Sequence, residues 1–328
     1  MNVEQQPITV LLNSHAGSCD PAVATRVRDA FTAAGRDVTI VATDRTRIVA
    51  DAARAHKDQN AVIVAGGGDG TVSAVASTLV GSSTALSVLP LGTLNHFAKD
   101  LGMPLEIDAA ARVIAAGHTI DVDVGEVNGR CFVNNSSIGI YARLVSERHA
   151  QESRGRTKWI AAGVGAVRVW GRYRRLRVAL RGDGLDRMAR TPFVFVGNNE
   201  YQLSGLELGG RLRLDAGALH VCMAPGMSRS GVARMIVAAV LGRIHTIDGF
   251  EAFRATGFTL DAGTRRVGVS LDGEAVVMEN PLRYRIRPAA LRVIVPGEQV
   301  RTGPLGPDWE GPALLEGRAA PFGPATGE

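Results

Sequence analysis

The run Ala61-Val62-Ile63-Val64-Ala65 leads into Gly66-Gly67-Gly68-Asp69-Gly70-Thr71, and Val72, Val75, Ala76 and Leu79 follow at helical spacing. A short, β-branched apolar run without alternation suits a strand buried on both faces of a parallel sheet, which needs a crossover before its neighbour. The glycines therefore occupy a strand-to-helix turn. First-turn N–H groups of a helix lack internal acceptors and lie at its positive end, and residues without Cβ let a phosphate approach them closely. Asp69 is the unusual member. Beside a phosphate a carboxylate is repulsive unless a divalent cation stands between them or it takes a proton. The stretch predicts an α/β protein with a turn built for phosphate plus metal.

Two common phosphate loops are excluded. A Walker A loop requires Gly-Lys-Ser/Thr, and no Lys occurs between Gly66 and Thr93; the dinucleotide fingerprint fails because Thr71 stands where its last glycine would be. A second strand-turn-helix unit follows, Leu86-Ser87-Val88-Leu89-Pro90-Leu91-Gly92-Thr93-Leu94-Asn95-His96-Phe97-Ala98-Lys99-Asp100-Leu101-Gly102. GGGDGT followed by PLGTLNHFAKDLG resembles the catalytic domain of the diacylglycerol kinase, sphingosine kinase and ceramide kinase superfamily, especially its soluble bacterial lipid kinases. GGDGT alone is shared with NAD kinases and phosphofructokinases, whereas the second element points to the lipid-kinase branch. Ser270-Leu271-Asp272-Gly273-Glu274 is similar to the family's LDGE element, so the resemblance runs nearly to Pro296.

The order of signals predicts a doubly wound parallel sheet followed by an antiparallel domain. Ile8 to Asn13 reads as a first strand; Asp20-Pro21 opens a helix that Gly35 ends; a strand over Asp37 to Ala42 and a helix over Arg47 to His56 precede the glycine turn. Repeated β-α alternation gathers the loops after strands on the carboxyl edge of the sheet, where such sheets bind ligands. From Asp121 the texture changes: Val122 to Val133 alternates about Asn128-Gly129, a strong hairpin signal. Strands at Arg177 to Arg181, Phe193 to Gly197, Ala218 to Met223, Arg266 to Leu271 and Leu282 to Ile286, with helices near Lys158 to Val169 and Val232 to Leu241, continue the second domain. The expected division is residues 1–124 for the nucleotide domain, 125–296 for a β-sandwich-like lipid domain whose last segment packs back on the first, and 297–328 for a flexible tail. That tail holds seven Gly and five Pro without periodicity.

The resemblance implies ATP and Mg²⁺ as cofactors and assigns residues. Gly66, Gly67, Gly68, Gly70, Thr71, Thr93 and Asn95 would hold the nucleotide, with Asp69 acting through Mg²⁺. Asn13 and Gly17 fall in a turn similar to the family's first phosphate loop, with Ser14 where proline is usual. Thr43 matches a nucleotide-contact position and equally reads as part of a helix N-cap. His96 replaces a common Asp, and Asp100 keeps an acidic position that joins a charge network or faces solvent. Asp272 and Glu274, two apart on a turn or strand, bring two carboxylates together, and mutual repulsion would raise one pKa toward that of a base. The bacterial branch assigns the base to the Glu of this element, here Glu274; the sphingosine kinase branch gives that role to the Asp of GGDG, here Asp69. The segment that carries a structural Mg²⁺ site in many bacterial members has Ala216 where an Asp is needed, so that site is not carried over.

The expected activity is transfer of the ATP γ-phosphoryl group to a hydroxyl of diacylglycerol or a related lipid. The alternatives are a NAD kinase-like enzyme and a nucleotide- and lipid-binding sensor without turnover. Cys19, Cys131 and Cys222 are scattered and form no metal pattern, and the N-terminus lacks a signal-peptide pattern, which suggests a reducing cytoplasmic setting. No apolar run approaches the ~20 residues of a spanning helix, so a lipid substrate implies work at the membrane surface. The net charge of +5 is too small to argue for nucleic acid. Arg168, Arg172, Arg174, Arg175, Arg177 and Arg181 either dock anionic headgroups or form a solvated edge. A homodimer is compatible with this reading.

Overall fold

The computed structural model describes residues 6–13, 21–57, 62–140, 175–182, 184–201, 210–211, 213–232, 234 and 250–297. Gly17, Arg168, Arg172 and Arg174, the helix expected at Lys158 to Val169 and most of that at Val232 to Leu241 lie outside these residues, as does the tail from residue 298.

Strands β1 (Ile8–Asn13), β2 (Val38–Thr43), β3 (Val62–Gly67) and β4 (Ala85–Pro90) lie parallel in the order β2-β1-β3-β4. Every residue of β3 and β4 is buried, which accounts for sequences that are apolar but for Ser87. Helices α1 (Pro21–Ala33), α2 (Ile48–Lys57) and α3 (Asp69–Leu79) connect them; α4 (His96–Asp100) and α5 (Ile107–Ala116) follow β4. Right-handed crossovers place α1 on one face and α2 and α3 on the other. Accordingly α1 packs on α5, and α2 on α3.

The hairpin of β5 (Thr119–Val127) and β6 (Arg130–Phe132) turns on Asn128 and Gly129, at φ 47 and 81. Its partner is the last strand, β16 (Leu282–Ile294), which runs antiparallel to β5 and reaches β4 in parallel through Val293 and Leu86. One ten-stranded sheet therefore continues from the parallel strands through β16 into β13 (Gly257–Asp261), β8 (Leu176–Gly182) and β9 (Leu185–Thr191). β16 changes register between Arg287 and Leu291. Buried Asp123 holds this bulge, accepting Ala289 N–H at 2.9 Å and Gly217 N–H at 2.7 Å.

A second, six-stranded sheet has the order β12 (Glu251–Ala255), β11 (Leu219–Met223), β10 (Phe193–Asn198), β7 (Asn135–Gly139), β14 (Arg266–Leu271), β15 (Glu274–Glu279). All its described pairings are antiparallel. Between it and the far half of the first sheet lies a core centred on Phe132, Phe258 and Tyr284. The last two rings stack at 4.9 Å, and the Tyr284 hydroxyl meets Ser136 Oγ at 3.0 Å. A separate aliphatic core, with Phe31 and Phe97 its largest members, fills the parallel half. The architecture is the expected one: a doubly wound α/β unit joined to an antiparallel β-sandwich-like unit.

Candidate active site

β1 leads away to β2 on one side while β3 lies on its other side, so the crevice of the sheet opens between the carboxyl ends of β1 and β3. Two glycine turns meet there. A Cβ on Gly92 would stand 2.4 Å from Gly68 Cα and 2.7 Å from Asn95 Oδ1, so the turns after β3 and β4 pack backbone against backbone. Leu91 N–H donates to Gly67 O at 3.2 Å across the same contact. A Cβ on Gly67 would fall 2.5 Å from Thr71 Oγ1, whereas one on Gly70 would meet nothing within 4 Å. Gly70 therefore faces open space at the start of α3, where a helix cannot satisfy its own first N–H groups.

Thr71 is buried and accepts a 2.8 Å hydrogen bond from Asn13 Nδ2, which ties the end of β1 to the β3 turn across the crevice. Asp69, half-buried, accepts Phe97 N–H at 3.3 Å and so bridges the starts of α3 and α4. Thr93 and His96 are exposed. Asn95 is buried in the left-handed conformation at φ 51, and its amide closes its own loop, accepting Gly92 N–H at 3.0 Å and donating to Gly92 O at 2.8 Å. It shapes the turn with the side chain that the resemblance assigns to nucleotide. Thr43, at the end of β2, donates its hydroxyl to Asp51 Oδ2 at 2.8 Å, while Asp44 makes the cap of α2 by accepting from the Thr46 and Arg47 N–H groups. Bonds from the Thr46 hydroxyl and N–H hold the Asp44 carboxyl well below the usual range.

The expectation that Asp272 and Glu274 share one face of a strand is corrected. Asp272 and Gly273, at φ 45 and 85, form the two-residue turn of the β14–β15 hairpin, and Leu271 pairs with Glu274 across it. The two carboxylates diverge. Asp272 accepts Ser73 Oγ at 2.6 Å and the N–H groups of Val133, Asn134 and Asn135 at 2.9, 2.8 and 3.0 Å. Burial raises its carboxyl pKa against the pull of these donors, and repulsion by Glu274 is not among the causes. Asp272 is thus an anchor that fixes the hairpin to α3, and its oxygens are already taken. Glu274 is exposed and reaches Arg45, in the turn after β2, at 3.3 Å. The hairpin therefore delivers one carboxylate to the crevice side of the first domain.

Sequence reasoning missed Arg211. Its side chain is fully buried and bonds to Asp100 at 2.8 Å, Val133 O at 2.6 Å, Asn198 O at 3.0 Å and Asn134 Oδ1 at 3.0 Å. Asp100 belongs to a buried ion pair and not to solvent. Asp215, the carboxylate nearest to Ala216, pairs with Arg213 at 2.9 Å, and among the described residues no three acidic, His or Cys side chains cluster as a metal site. Near the Asp272 turn, Ser137 and Ser270 face each other across β7 and β14, buried, with no hydrogen-bond partner for either hydroxyl among the described residues.

Residues 7–127 match the model of the diacylglycerol kinase catalytic domain, and residues 136–295 that of the YegS C-terminal NAD kinase beta sandwich-like domain. A relative in Pseudomonas syringae pv. syringae named "probable lipid kinase YegS-like" is 30% identical over 273 residues, covering 81% of this chain and 85% of its own. "Probable lipid kinase YegS" of Escherichia fergusonii is 28% identical over 250 residues, covering 72% and 78%. A solved structure described as a diacylglycerol kinase from Bacillus anthracis is 18% identical with a TM-score of 0.64, covering 88% of this chain and 97% of that one. A second structure from that organism gives 21% and 0.70, with coverage of 88% and 95%. At these identities the solved structures establish the fold alone. With both domain models matched in tandem and the Pseudomonas relative aligned over most of both chains, the protein belongs to the YegS-like lipid kinase family of diacylglycerol kinase catalytic-domain proteins.

Proposed function

We propose that the protein is an ATP-dependent lipid kinase that phosphorylates a hydroxyl of diacylglycerol or a related lipid. The observation that carries this reading is the contact of the two glycine turns at the crevice, with Asp69 at its mouth and Glu274 brought to the same side by the Asp272 anchor. The open space at Gly70 and the first-turn N–H groups of α3 suit the phosphates of a nucleotide. The donor set also suits Mg²⁺ carried by the nucleotide, because that ion commonly takes one or two carboxylates and fills its remaining positions with phosphate and water. Asp69 would be the protein's ligand; when bound, the ion offsets phosphate charge during transfer. In this reading Glu274, exposed and on the second domain, receives a proton from the acceptor hydroxyl.

A NAD kinase-like activity shares the first glycine turn and the sandwich, and a sensor without turnover shares the whole site. No helix among the described residues is long and apolar enough to cross a membrane, and in this reading the enzyme works from the cytoplasm at the membrane surface. Incubation of the purified protein with γ-labelled ATP, Mg²⁺, NAD and a total lipid extract separates the cases. Label in a phospholipid product supports the proposal, label in NADP transfers the reading to the alternative, and no transfer at all leaves a sensor.

A further inference from the structure

The strands β13, β8 and β9 turn one face to the sandwich core and the other outward. On β8 the inward residues are Val178 and Leu180, so Arg177, Ala179 and Arg181 point outward. The register opposes Arg177 to Arg190, Ala179 to Met188 and Arg181 to Asp186, so the outward face continues onto β9, the last described strand of the sheet, where Arg190 O accepts Gly226 N–H at 3.0 Å. Arg181 has a counter-charge in Asp186 at 3.8 Å. Arg187, on the other face, reaches Glu251 of β12 at 3.7 Å and helps to close the sandwich.

Arg177 and Arg190 differ from these. Both are exposed, they stand directly opposite each other, and neither has an ion-pair partner among the described residues. Like charges directly opposite on a strand pair destabilise the sheet, so the arrangement is unfavourable unless an external anion relieves it. Next to them Met188 is 81% exposed, the most exposed of the large apolar side chains described. An edge strand is ordinarily protected by charge and not by an apolar residue. Guanidinium groups flanking a projecting thioether suit a boundary where anionic oxygen gives way to hydrocarbon, with each Arg fork gripping phosphate and the Met tip entering the apolar layer. A second copy added antiparallel along β9 would set the basic edges against each other, which disfavours a dimer as the occupant.

We propose that Arg177, Arg190 and Met188 form the face by which the protein docks on an anionic lipid bilayer. This deepens the lipid-substrate reading and rests on it, yet binding is measured without turnover. The test is co-sedimentation of the full chain with vesicles of phosphatidylcholine alone or mixed with phosphatidylglycerol. The expected result is binding to the mixed vesicles that weakens with salt. An arginine near such a surface is worth about a factor of five, so Arg177→Ala/Arg190→Ala weakens binding about 30-fold. Met188→Ala weakens it several-fold in a manner that salt does not alter, and Arg26→Ala, an exposed arginine on α1, leaves it unchanged. All these side chains are exposed, and circular dichroism checks that each variant folds. Equal sedimentation of the double variant and the wild type, or equal binding to both vesicle types, would overturn the proposal. So would a shift from dimer to monomer in the double variant, which would make the face a subunit contact. Phosphorylation of detergent-dispersed diacylglycerol is measured in parallel: its loss in the wild type speaks against the kinase reading, and its retention beside unchanged vesicle binding speaks against the docking face alone.

Discussion

Asp69 accepts one backbone N–H, from Phe97, and its second carboxylate oxygen has no donor among the described residues. A carboxylate so placed at the start of α3 gains from the helix dipole while free and meets phosphate only through a cation. Asp69→Asn is therefore expected to nearly abolish turnover while circular dichroism and the denaturation midpoint stay close to wild type. Activity that persists at saturating Mg²⁺ would remove Asp69 from the chemistry. Glu274 makes a different claim, because its carboxylate has one ion-pair partner among the described residues, the exposed Arg45. Glu274→Gln is expected to slow transfer to lipid roughly 10²–10⁴-fold with nucleotide affinity little changed, the usual worth of a general base. Near-normal turnover in that variant would move the base to Asp69. Asp272 shows why residue type and spacing alone mislead: the same carboxylate chemistry that suggested catalysis satisfies four donors, three of them consecutive backbone N–H groups more than 130 residues away in sequence.

At the scale of elements, the two glycine turns give opposite expectations for the same substitution. Gly92→Ala drives a Cβ into the backbone of Gly68, which cannot withdraw, so a stability loss of about 1–3 kcal/mol is expected together with loss of activity. Gly70→Ala meets open space within α3, where alanine is the better helix former, so the chain should be as stable or slightly more so. If that space belongs to the nucleotide, ATP affinity nevertheless falls; thermal unfolding paired with nucleotide titration checks both halves. These turns were legible in sequence because β3 and β4, buried on both faces, write runs that are apolar but for Ser87 into the glycines. Other elements were not. β7 carries Asn135, Ser136 and Ser137, polar residues whose burial depends on distant partners such as Tyr284. β9 is an edge with Arg187, Met188 and Arg190 exposed, so it lacks the alternation of a half-buried strand. Leu282 to Ile286 was readable, but the bulge that carries β16 on to Ile294 was not, because Asp123 creates it from the far side of the sequence.

At the scale of the whole molecule, the connection between β6 and β7 holds the two halves together. Val133, Asn134 and Asn135 give their N–H groups to Asp272, which also takes Ser73 of α3, while Val133 O and Asn134 Oδ1 receive Arg211, which also binds Asp100 of α4. The helices that begin at the two glycine turns are thus tied through one short segment to the hairpin that carries Glu274. Arg211 left no local pattern in the sequence, since Asp100 lies 111 residues away and Val133 lies 78 away. Its side chain is 0% exposed and that of Asp100 is 5%. Removing one partner of such a pair strands a buried charge, so Arg211→Met is expected to cost roughly 3–5 kcal/mol. Arg211→Lys should recover little, because a single ammonium cannot serve Asp100, two carbonyls and Asn134 from the directions a guanidinium covers. Arg211→Met/Asp100→Leu removes both charges and should regain much of the lost stability, as apolar replacement of a buried pair often does. Turnover should stay low in the double variant, because the Val133 and Asn198 carbonyls and the Asn134 amide still lose the donor that sets α4 against the second sheet. Urea denaturation and turnover measured on all three variants check the argument; stability and activity returning together would reduce Arg211 to a packing element with no part in positioning the crevice.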